Sequence, residues 1–150
     1  MLSNYFEYFD IEVLDLFSGT GSIAYEFASR GCRSVDLVES NSRYHSFIQK
    51  TVTDLKFDQV SVIRADAFRY LKHTTRNYDI IFADPPYDLK ELDQIPLLVF
   101  SRNLLKNNGW FILEHGKDHD FSVVPQFSEI RKYGSVHFSI FKNEQKSDRI

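Results

Sequence analysis

The stretch "IEVLDLFSGTGSIAYEFASRG", residues 11–31, contains an apolar run, a glycine-rich turn and a helical pattern in direct succession. Ile11–Phe17 is short and rich in β-branched and large apolar residues, as in a strand buried on both faces of a parallel sheet. A helix is predicted over Ser22–Arg30, and a glycine follows it, as is common after a helix C-cap. Gly19 and Gly21 lie between the two elements, where glycine permits a tight turn and a close approach of backbone N–H groups to a ligand.

The same alternation continues to residue 115. Four further short apolar runs, predicted as strands, are Ser34–Glu39, Val60–Ala65, Tyr78–Ala83 and Trp110–His115. Strands that alternate with helices imply right-handed βαβ units and a doubly wound, mostly parallel sheet. The tail differs, because "FSEIRKYGSVHFSIFK", residues 127–142, predicts two strands joined around Gly134 in an antiparallel hairpin. The predicted fold class is therefore α/β, with a mostly parallel sheet that ends in an antiparallel hairpin, a pattern typical of Rossmann-like methyltransferases.

Three segments between the strands have helical patterns. Asn41–Lys56 is the clearest, and Ser40, Asn41 or Ser42 can cap its start. Asp66 precedes a short helix, "AFRYLKH". Residues 89–106, "LKELDQIPLLVFSRNLLK", are helical in pattern, but a proline predicts a kink or two pieces. The positions predicted to form the buried face of Asn41–Lys56 are Tyr44, Phe47, Ile48, Thr51, Val52 and Leu55.

Length and composition indicate a single domain over residues 1–150. A lone cysteine excludes an internal disulfide, and no Cys/His spacing predicts a metal site. No apolar run approaches the roughly 20 residues that a transmembrane helix needs, and the N-terminus lacks the features of a signal peptide. We therefore expect a cytoplasmic protein without a membrane partner.

The net charge of −3 argues against a strongly basic nucleic-acid binder. The charge is uneven, however, because residues 1–29 contain five acidic and no basic side chains. The remaining residues carry 18 basic and 16 acidic side chains. This balance permits a nucleic-acid partner without predicting one.

Acidic residues flank the glycine turn. Asp15 ends the first predicted strand, where a carboxylate repels a diphosphate but accepts hydrogen bonds from a cationic amino group. Glu39 ends the second strand, where an acid accepts hydrogen bonds from ribose hydroxyls. Asp36 competes for that role but lies in mid-strand. A ligand with a ribose and a positive charge, such as S-adenosylmethionine, fits these positions; alternatively, Asp15 and Glu39 cap the helices that follow them.

Asp66 follows the third predicted strand. Its carboxylate can accept a hydrogen bond from an adenine amino group, with the Ala67 backbone N–H facing a ring nitrogen. An N-cap role for Asp66 is equally good chemistry, and the two roles are compatible.

The stretch "YDIIFADPPYDL", residues 78–89, places Asp84 at the end of the fourth strand, at the edge where open α/β sheets bind ligands. Pro85 and Pro86 fix the backbone, so the carbonyl groups before them are aimed. The Asp84 carboxylate and the Pro85 carbonyl can accept hydrogen bonds from both protons of an exocyclic amino group. Tyr87 offers a flat face on which a base taken out of its helix can stack.

Together, "VLDLFSGTG", "VES", "ADAFRYL", "DIIFADPPY" and "LLKNNGWFILEH" resemble the small bacterial 16S rRNA guanine-N2 methyltransferases (RsmD-like), over about Ile11–Phe141. The Asp-Pro-Pro-Tyr sequence resembles the loop that marks S-adenosylmethionine-dependent amino-group methyltransferases acting on adenine, guanine, cytosine or glutamine. The resemblance implies S-adenosyl-L-methionine as cofactor and 16S rRNA or the small ribosomal subunit as partner. We expect a monomer and no metal.

The resemblance also implies two sets of site residues. The catalytic loop consists of Asp84, Pro85, Pro86 and Tyr87. The cofactor-binding residues are Asp15, Phe17, Gly19, Gly21, Glu39, Ser40, Asp66 and Ala67.

In one respect the sequence departs from that family. Its members usually carry a basic N-terminal extension, and "SNYFEYF", residues 3–9, resembles the end of its helix. We expect the extension to be missing here, which would reduce contacts with RNA phosphates.

Other functions fit parts of the pattern. A DNA adenine or protein glutamine methyltransferase is the enzymatic alternative, although DNA enzymes usually add a recognition domain and glutamine enzymes favour Asn at position 84. A non-catalytic RNA-binding or assembly module is the other alternative, and an NAD oxidoreductase fits poorly. The histidines show no metal-ligand spacing: His45 and His73 are predicted on helix surfaces, His137 in the hairpin, and "HGKDHD", His115–Asp120, predicts a polar loop.

Overall fold

The computed structural model describes residues 10–144, and the chain divides into two compact units, Met1–Thr74 and Thr75–Ile150. The stretch at residues 3–9 lies outside the described residues. The expectation of a single domain stays a prediction. The elements of the first unit are β1 (Glu12–Leu16), α1 (Ser22–Ser29), β2 (Ser34–Val38), α2 (Ser42–Asp54), β3 (Val60–Ile63) and α3 (Ala67–His73). Those of the second are β4 (Tyr78–Ala83), α4 (Gln94–Ser101), β5 (Leu105–His115), β6 (Phe127–Tyr133) and β7 (Val136–Lys142).

In the first unit three parallel strands lie in the order β3-β2-β1. Val13, Leu14 and Leu16 of β1 are fully buried, as the continuous apolar run predicted. Helix α1 ends as predicted, since Gly31 takes a φ of 82°, a left-handed conformation that glycine adopts without steric cost.

Helix α2 has a narrower buried face than the sequence predicted. Its N-cap is Asn41, whose side chain accepts hydrogen bonds from the backbone N–H groups of Arg43 and Tyr44. Ile48 and Val52 are buried, but Tyr44, Phe47 and Leu55 are 46%, 53% and 52% exposed. The prediction for these three was wrong because α2 packs on β3, a strand at the end of the order whose own side chains are largely half-buried.

In the second unit β4 and β5 are parallel, and β7 lies antiparallel between β5 and β6. The predicted hairpin is confirmed, with Gly134 at a φ of 63° in its turn. Phe111 and Phe141 stack with ring centroids 5.2 Å apart and are fully buried, so the hairpin is fixed to β5 by aromatic packing. The strands and helices of the two units confirm the predicted α/β fold class.

The segment before β5 corrects the sequence-based expectation of a long interrupted helix. Helix α4 is a single piece, and Pro96 lies in its first turn, where a missing N–H costs no intrahelical hydrogen bond. Leu105 and Lys106, predicted as helical, instead begin β5, and Leu105 pairs with Tyr78. The side-chain amide of Asn143 donates to both of their carbonyl groups at 3.0 and 3.2 Å, which fixes this extended start.

Candidate active site

The turn after β1 is held in an unusual backbone shape. Phe17, Gly19 and Gly21 all have positive φ values, of 58°, 57° and 85°. A bulky side chain rarely adopts this conformation, and such strain is concentrated at functional sites. The Phe17 ring packs edge-on against Phe68 at 6.3 Å. At its φ of 85° Gly21 disfavours any side chain, and an added Cβ would lie 2.7 Å from the outer end of the Tyr25 ring, which would have to shift.

Glu39 connects this turn to the start of α2. One of its carboxylate oxygens accepts the Gly19 N–H at 2.8 Å, and the other accepts the Asn41 N–H at 2.8 Å. The side chain is only 8% exposed. Asn41, rather than Glu39, caps α2, so Glu39 supports the cap residue and the glycine turn at the same time.

The other acids of the first unit have distinct surroundings. Asp15 is 2% exposed, and the N-cap of α1 is Gly21, with no side-chain cap, so the alternative that Asp15 caps α1 is wrong. Asp36 is equally buried and accepts a hydrogen bond from the Tyr70 hydroxyl at 3.5 Å, which ties the middle of β2 to α3. Asp36 therefore has a packing role.

Asp66 caps the helix that follows it, which is one of the two roles that the sequence predicted. Its side chain accepts the Arg69 N–H at 3.0 Å as the N-cap of α3. Ala67 is buried directly after it, whereas Ser40 is exposed at the end of β2. An acceptor oxygen of Asp66 keeps a second lone pair, so capping leaves room for a ligand hydrogen bond.

The residues of the first unit fit an adenosyl ligand. A Cβ built at Gly19 would meet no atom within 4 Å, which means that open space lies against this backbone. The Glu39 carboxylate reaches the same residue and retains lone pairs for hydroxyl donors. The predicted residues Asp15, Phe17, Gly19, Gly21 and Glu39 all lie on β1, β2 or the turns that directly follow them.

The Asp84–Tyr87 loop follows β4 in the second unit. Pro85 is buried and Asp84 is accessible, while the Tyr87 ring is 47% exposed. The Leu89 N–H donates to the Pro86 carbonyl at 3.1 Å and closes a turn after the prolines. The loop therefore presents one carboxylate and one aromatic face on a fixed backbone.

Glu114 was not among the predicted site residues, but the structure places it against this loop. In the register of β4 and β5, Ala83 pairs with Leu113, so Asp84 and Glu114 come next on neighbouring strands. The Tyr87 hydroxyl donates to a Glu114 carboxylate oxygen at 3.3 Å. The acid in "WFILEH", a stretch that the sequence predicted as a strand, was the available signal.

Two carboxyl groups therefore lie together. Burial, which is the largest cause, and the neighbouring charge of Asp84 together raise the pKa of Glu114 to about 7. Burial also raises the pKa of Asp84, while a hydrogen bond from Glu114 opposes that rise. The pair has the properties of two acids that hold one proton between them.

The sequence predicted a polar loop over His115–Asp120, but His115 belongs to β5, so the loop begins at Gly116. His115 is the last residue of β5 and is fully buried, with Nδ1 2.7 Å from the Gly116 carbonyl and Nε2 2.7 Å from the Ser139 hydroxyl. Burial lowers the pKa of His115, so the ring is neutral. The carbonyl can only accept, so Nδ1 carries the proton and the serine donates to Nε2.

Residues 10–144 contain no group of three or more His, Cys, Asp or Glu side chains that could hold a metal ion. Within the same residues, none of the helices combines the length and the apolar character that a membrane crossing requires.

Comparison with known proteins places the chain in a family. The profile of the family described as "Conserved hypothetical protein 95" matches residues 1–142. This chain belongs to that family. We call it the RsmD family, because its relatives include a protein named ribosomal RNA small subunit methyltransferase D from Buchnera aphidicola subsp. Baizongia pistaciae. The two are 33% identical over 134 residues, covering 87% of this chain and 68% of the relative.

Solved structures show the same fold. A candidate methylase from Haemophilus influenzae has a TM-score of 0.85 and 26% identity, covering 96% of this chain and 92% of its own. The 16S rRNA N2 methyltransferase RsmC from Thermus thermophilus, in complex with S-adenosylmethionine and guanosine, has a TM-score of 0.72 and 20% identity. The match covers 89% of this chain and 38% of the RsmC chain, and it shows that the two proteins share a fold. The fold is that of a Rossmann-like class I methyltransferase.

Proposed function

We propose that this protein transfers a methyl group from S-adenosyl-L-methionine to the exocyclic N2 amino group of a guanine in 16S rRNA. The observation that carries the proposal is the Asp84–Tyr87 loop, which combines an accessible carboxylate, two prolines and an exposed aromatic ring directly after β4. Membership of the RsmD family supports rRNA as the substrate class, and the relative from Buchnera carries that activity in its name.

The first unit would hold the cofactor. Asp15 would accept hydrogen bonds from its cationic amino group, Glu39 would accept them from the ribose hydroxyls, and Asp66 with Ala67 would bind the adenine. Phe17, Gly19, Gly21 and Ser40 shape the surrounding backbone. When bound, this cofactor supplies a methyl group on a positively charged sulfur, which needs neither a metal nor a covalent nucleophile for activation.

The second unit would hold the acceptor. The Asp84 carboxylate and the Pro85 carbonyl accept hydrogen bonds from the two amino protons, which orients the nitrogen lone pair and stabilises positive charge that develops on nitrogen. Pro86 fixes the turn, and Tyr87 stacks on the base. We propose that the protein works as a cytoplasmic monomer on 16S rRNA or the small ribosomal subunit.

A labelling experiment tests this function. Tritiated S-adenosylmethionine is incubated with the protein and either unmodified 16S rRNA or small subunits, and labelled nucleosides are separated after digestion. We expect label in N2-methylguanosine, and a loss on the order of 10²-fold or more in the Asp84→Ala variant, since that variant removes an interaction made in the transition state. Asp88→Ala, which removes an exposed acid from the same stretch, is the matched control.

The outcomes separate the alternatives. Label in another nucleoside would contradict the guanine assignment, and label that Asp84→Ala leaves unchanged would contradict the assigned loop. If no label is transferred, calorimetry with S-adenosylhomocysteine is decisive: the absence of binding would favour a non-catalytic RNA-binding module.

A further inference from the structure

We propose that Glu114 is a positioning residue that shares one proton with Asp84 and passes on to water the proton that the amino group releases. This inference rests on the proposed function, because it concerns the fate of the proton in that reaction. It assigns a role to a side chain outside the Asp-Pro-Pro-Tyr loop.

The geometry brings three oxygen-bearing side chains together. Glu114 accepts a hydrogen bond from the Tyr87 hydroxyl at 3.3 Å, and the pairing of Ala83 with Leu113 brings its carboxyl group beside that of Asp84, where the two can share a hydrogen bond. Such an O–H···O bond between two carboxyl groups requires that one of them is protonated. Glu114 thus fixes both functional side chains of the loop, the carboxylate and the aromatic ring, by direct contact.

The rest of the surroundings are apolar. Glu114 lies directly opposite Phe138 of β7, and the Phe82 ring lies 6.5 Å from the ring of Phe138. Among residues 10–144, the titratable groups that act on Glu114 are Asp84 and Tyr87, both from the loop after β4. Phe138, from the other neighbouring strand, carries no charge and so does not offset the repulsion between the two acids.

The reaction requires a place for one proton. An amino nitrogen that gains a methyl group becomes positively charged, and one N–H bond must break, with its electron pair left on nitrogen, to give a neutral product. Asp84 contacts that amino group in the proposed function, so the O–H bond forms on the carboxyl pair. The pair then returns one proton to water and regains its starting charge.

The proton affinity of the pair suits this task. The pKa of Glu114 is about 7, so near neutral pH the pair exists both with one proton and with none. The form without a proton is the better acceptor, because it binds a proton without first losing one. The rate should therefore rise as the pH rises through about 7.

The first test needs no cofactor or substrate. In the protein labelled with ¹³C at the glutamate carboxyl groups, NMR titration should give Glu114 a midpoint of about 7. Asp84→Asn should lower this midpoint, since the variant removes the neighbouring negative charge. A Glu114 midpoint near the ordinary value of 4.5 would overturn the inference.

The second test is the pH profile of single-turnover methyl transfer between about pH 6 and pH 8. The wild type should show a rise, and Glu114→Gln should lose it together with a fall in rate on the order of 10²-fold at the upper end. The KM for RNA should stay within about twofold, since the glutamine side-chain oxygen still accepts the hydrogen bond from Tyr87. Glu114→Asp, which keeps a carboxyl group, should recover part of the rate and the rise, and Glu91→Gln at an exposed position is the control.

The failures are distinguishable. A wild-type rate independent of pH, or a Glu114→Gln variant with the wild-type profile, would overturn the role of Glu114 and leave the methyl-transfer function standing. A wild type that transfers no methyl group would instead contradict the proposed function, and the NMR midpoint would then decide whether Asp84 and Glu114 share a proton.

Discussion

Glu39 and Glu114 are the same residue type at similar places in the fold, and their surroundings differ completely. Each lies at the C-terminal end of a parallel strand, Glu39 just after β2 and Glu114 near the end of β5. The oxygens of Glu39 accept hydrogen bonds from two backbone N–H groups. Glu114 instead faces the carboxyl group of Asp84 and the hydroxyl of Tyr87. The donors around a carboxylate, rather than its position on a strand, decide whether it stabilises a backbone or holds a proton.

We expect the largest effect from replacing Glu39, whose carboxylate accepts hydrogen bonds from the backbone. Glu39→Ala removes two charge-assisted hydrogen bonds and leaves two N–H donors without an acceptor, so the free energy of unfolding should fall by about 4 kcal/mol. Urea denaturation measures this. Glu26→Ala is the control, because its ion pair with Arg30 on the surface of α1 should contribute only about 0.5 kcal/mol. Equal losses in the two variants would show that Glu39 does not stabilise the turn.

The glycine turn that Glu39 supports should be nearly as sensitive. Gly21→Ala combines a φ of 85° with a Cβ 2.7 Å from the Tyr25 ring, so we expect a loss of about 3 kcal/mol. Gly31→Ala has a similar φ of 82° but no atom within 4 Å, and should lose about 1 kcal/mol. Urea denaturation of both variants isolates the steric part. If the losses are equal, the Tyr25 ring moves aside and the turn is less rigid than the structure indicates.

We expect the smallest effect from replacing Tyr87, which contacts the pair formed by Asp84 and Glu114. Tyr87→Phe keeps the ring but removes a hydrogen bond that stabilises the ionised form of Glu114, so the pKa of Glu114 should rise above about 7. At 3.3 Å this bond is long, and the loss of stability should be only about 0.5 kcal/mol. The NMR midpoint of Glu114 measures the first effect and urea denaturation the second. A midpoint that falls would mean that the hydroxyl does not donate to Glu114.

The strand-and-turn pattern could be predicted from the sequence because each element carries its own local signal. The apolar run, the two glycines and the helix that stops at Gly31 are all within residues 11–31, and the structure follows them closely. The hairpin around Gly134 was equally local. The helix predicted through Leu105 was wrong, because the extended start of β5 depends on Tyr78 and on Asn143, which are distant in sequence.

In the candidate site, too, contacts between residues distant in sequence could not be predicted. The predicted roles of the Asp84–Tyr87 loop and the cofactor residues came from motifs, and they stay predictions. Glu114 was missed since its proximity to Asp84 depends on the register of two strands that are about 30 residues apart in the chain. Tyr44 and Phe47 fit a helical period, but periodicity does not reveal how much of a helix its neighbouring strand covers.

The paired acids also connect proton binding to folding. Glu114 has a pKa of about 7 in the folded protein, against an ordinary value of 4.5, so the folded chain binds this proton more tightly than the unfolded chain does. The contribution of Glu114 to the free energy of unfolding is therefore complete below pH 4.5, declines as the pH rises towards about 7, and is absent above it. Without a bound proton, the pair can accept one from the substrate, but in this state it stabilises the fold least. Activity and stability therefore make opposite demands on the ionisation of these two side chains.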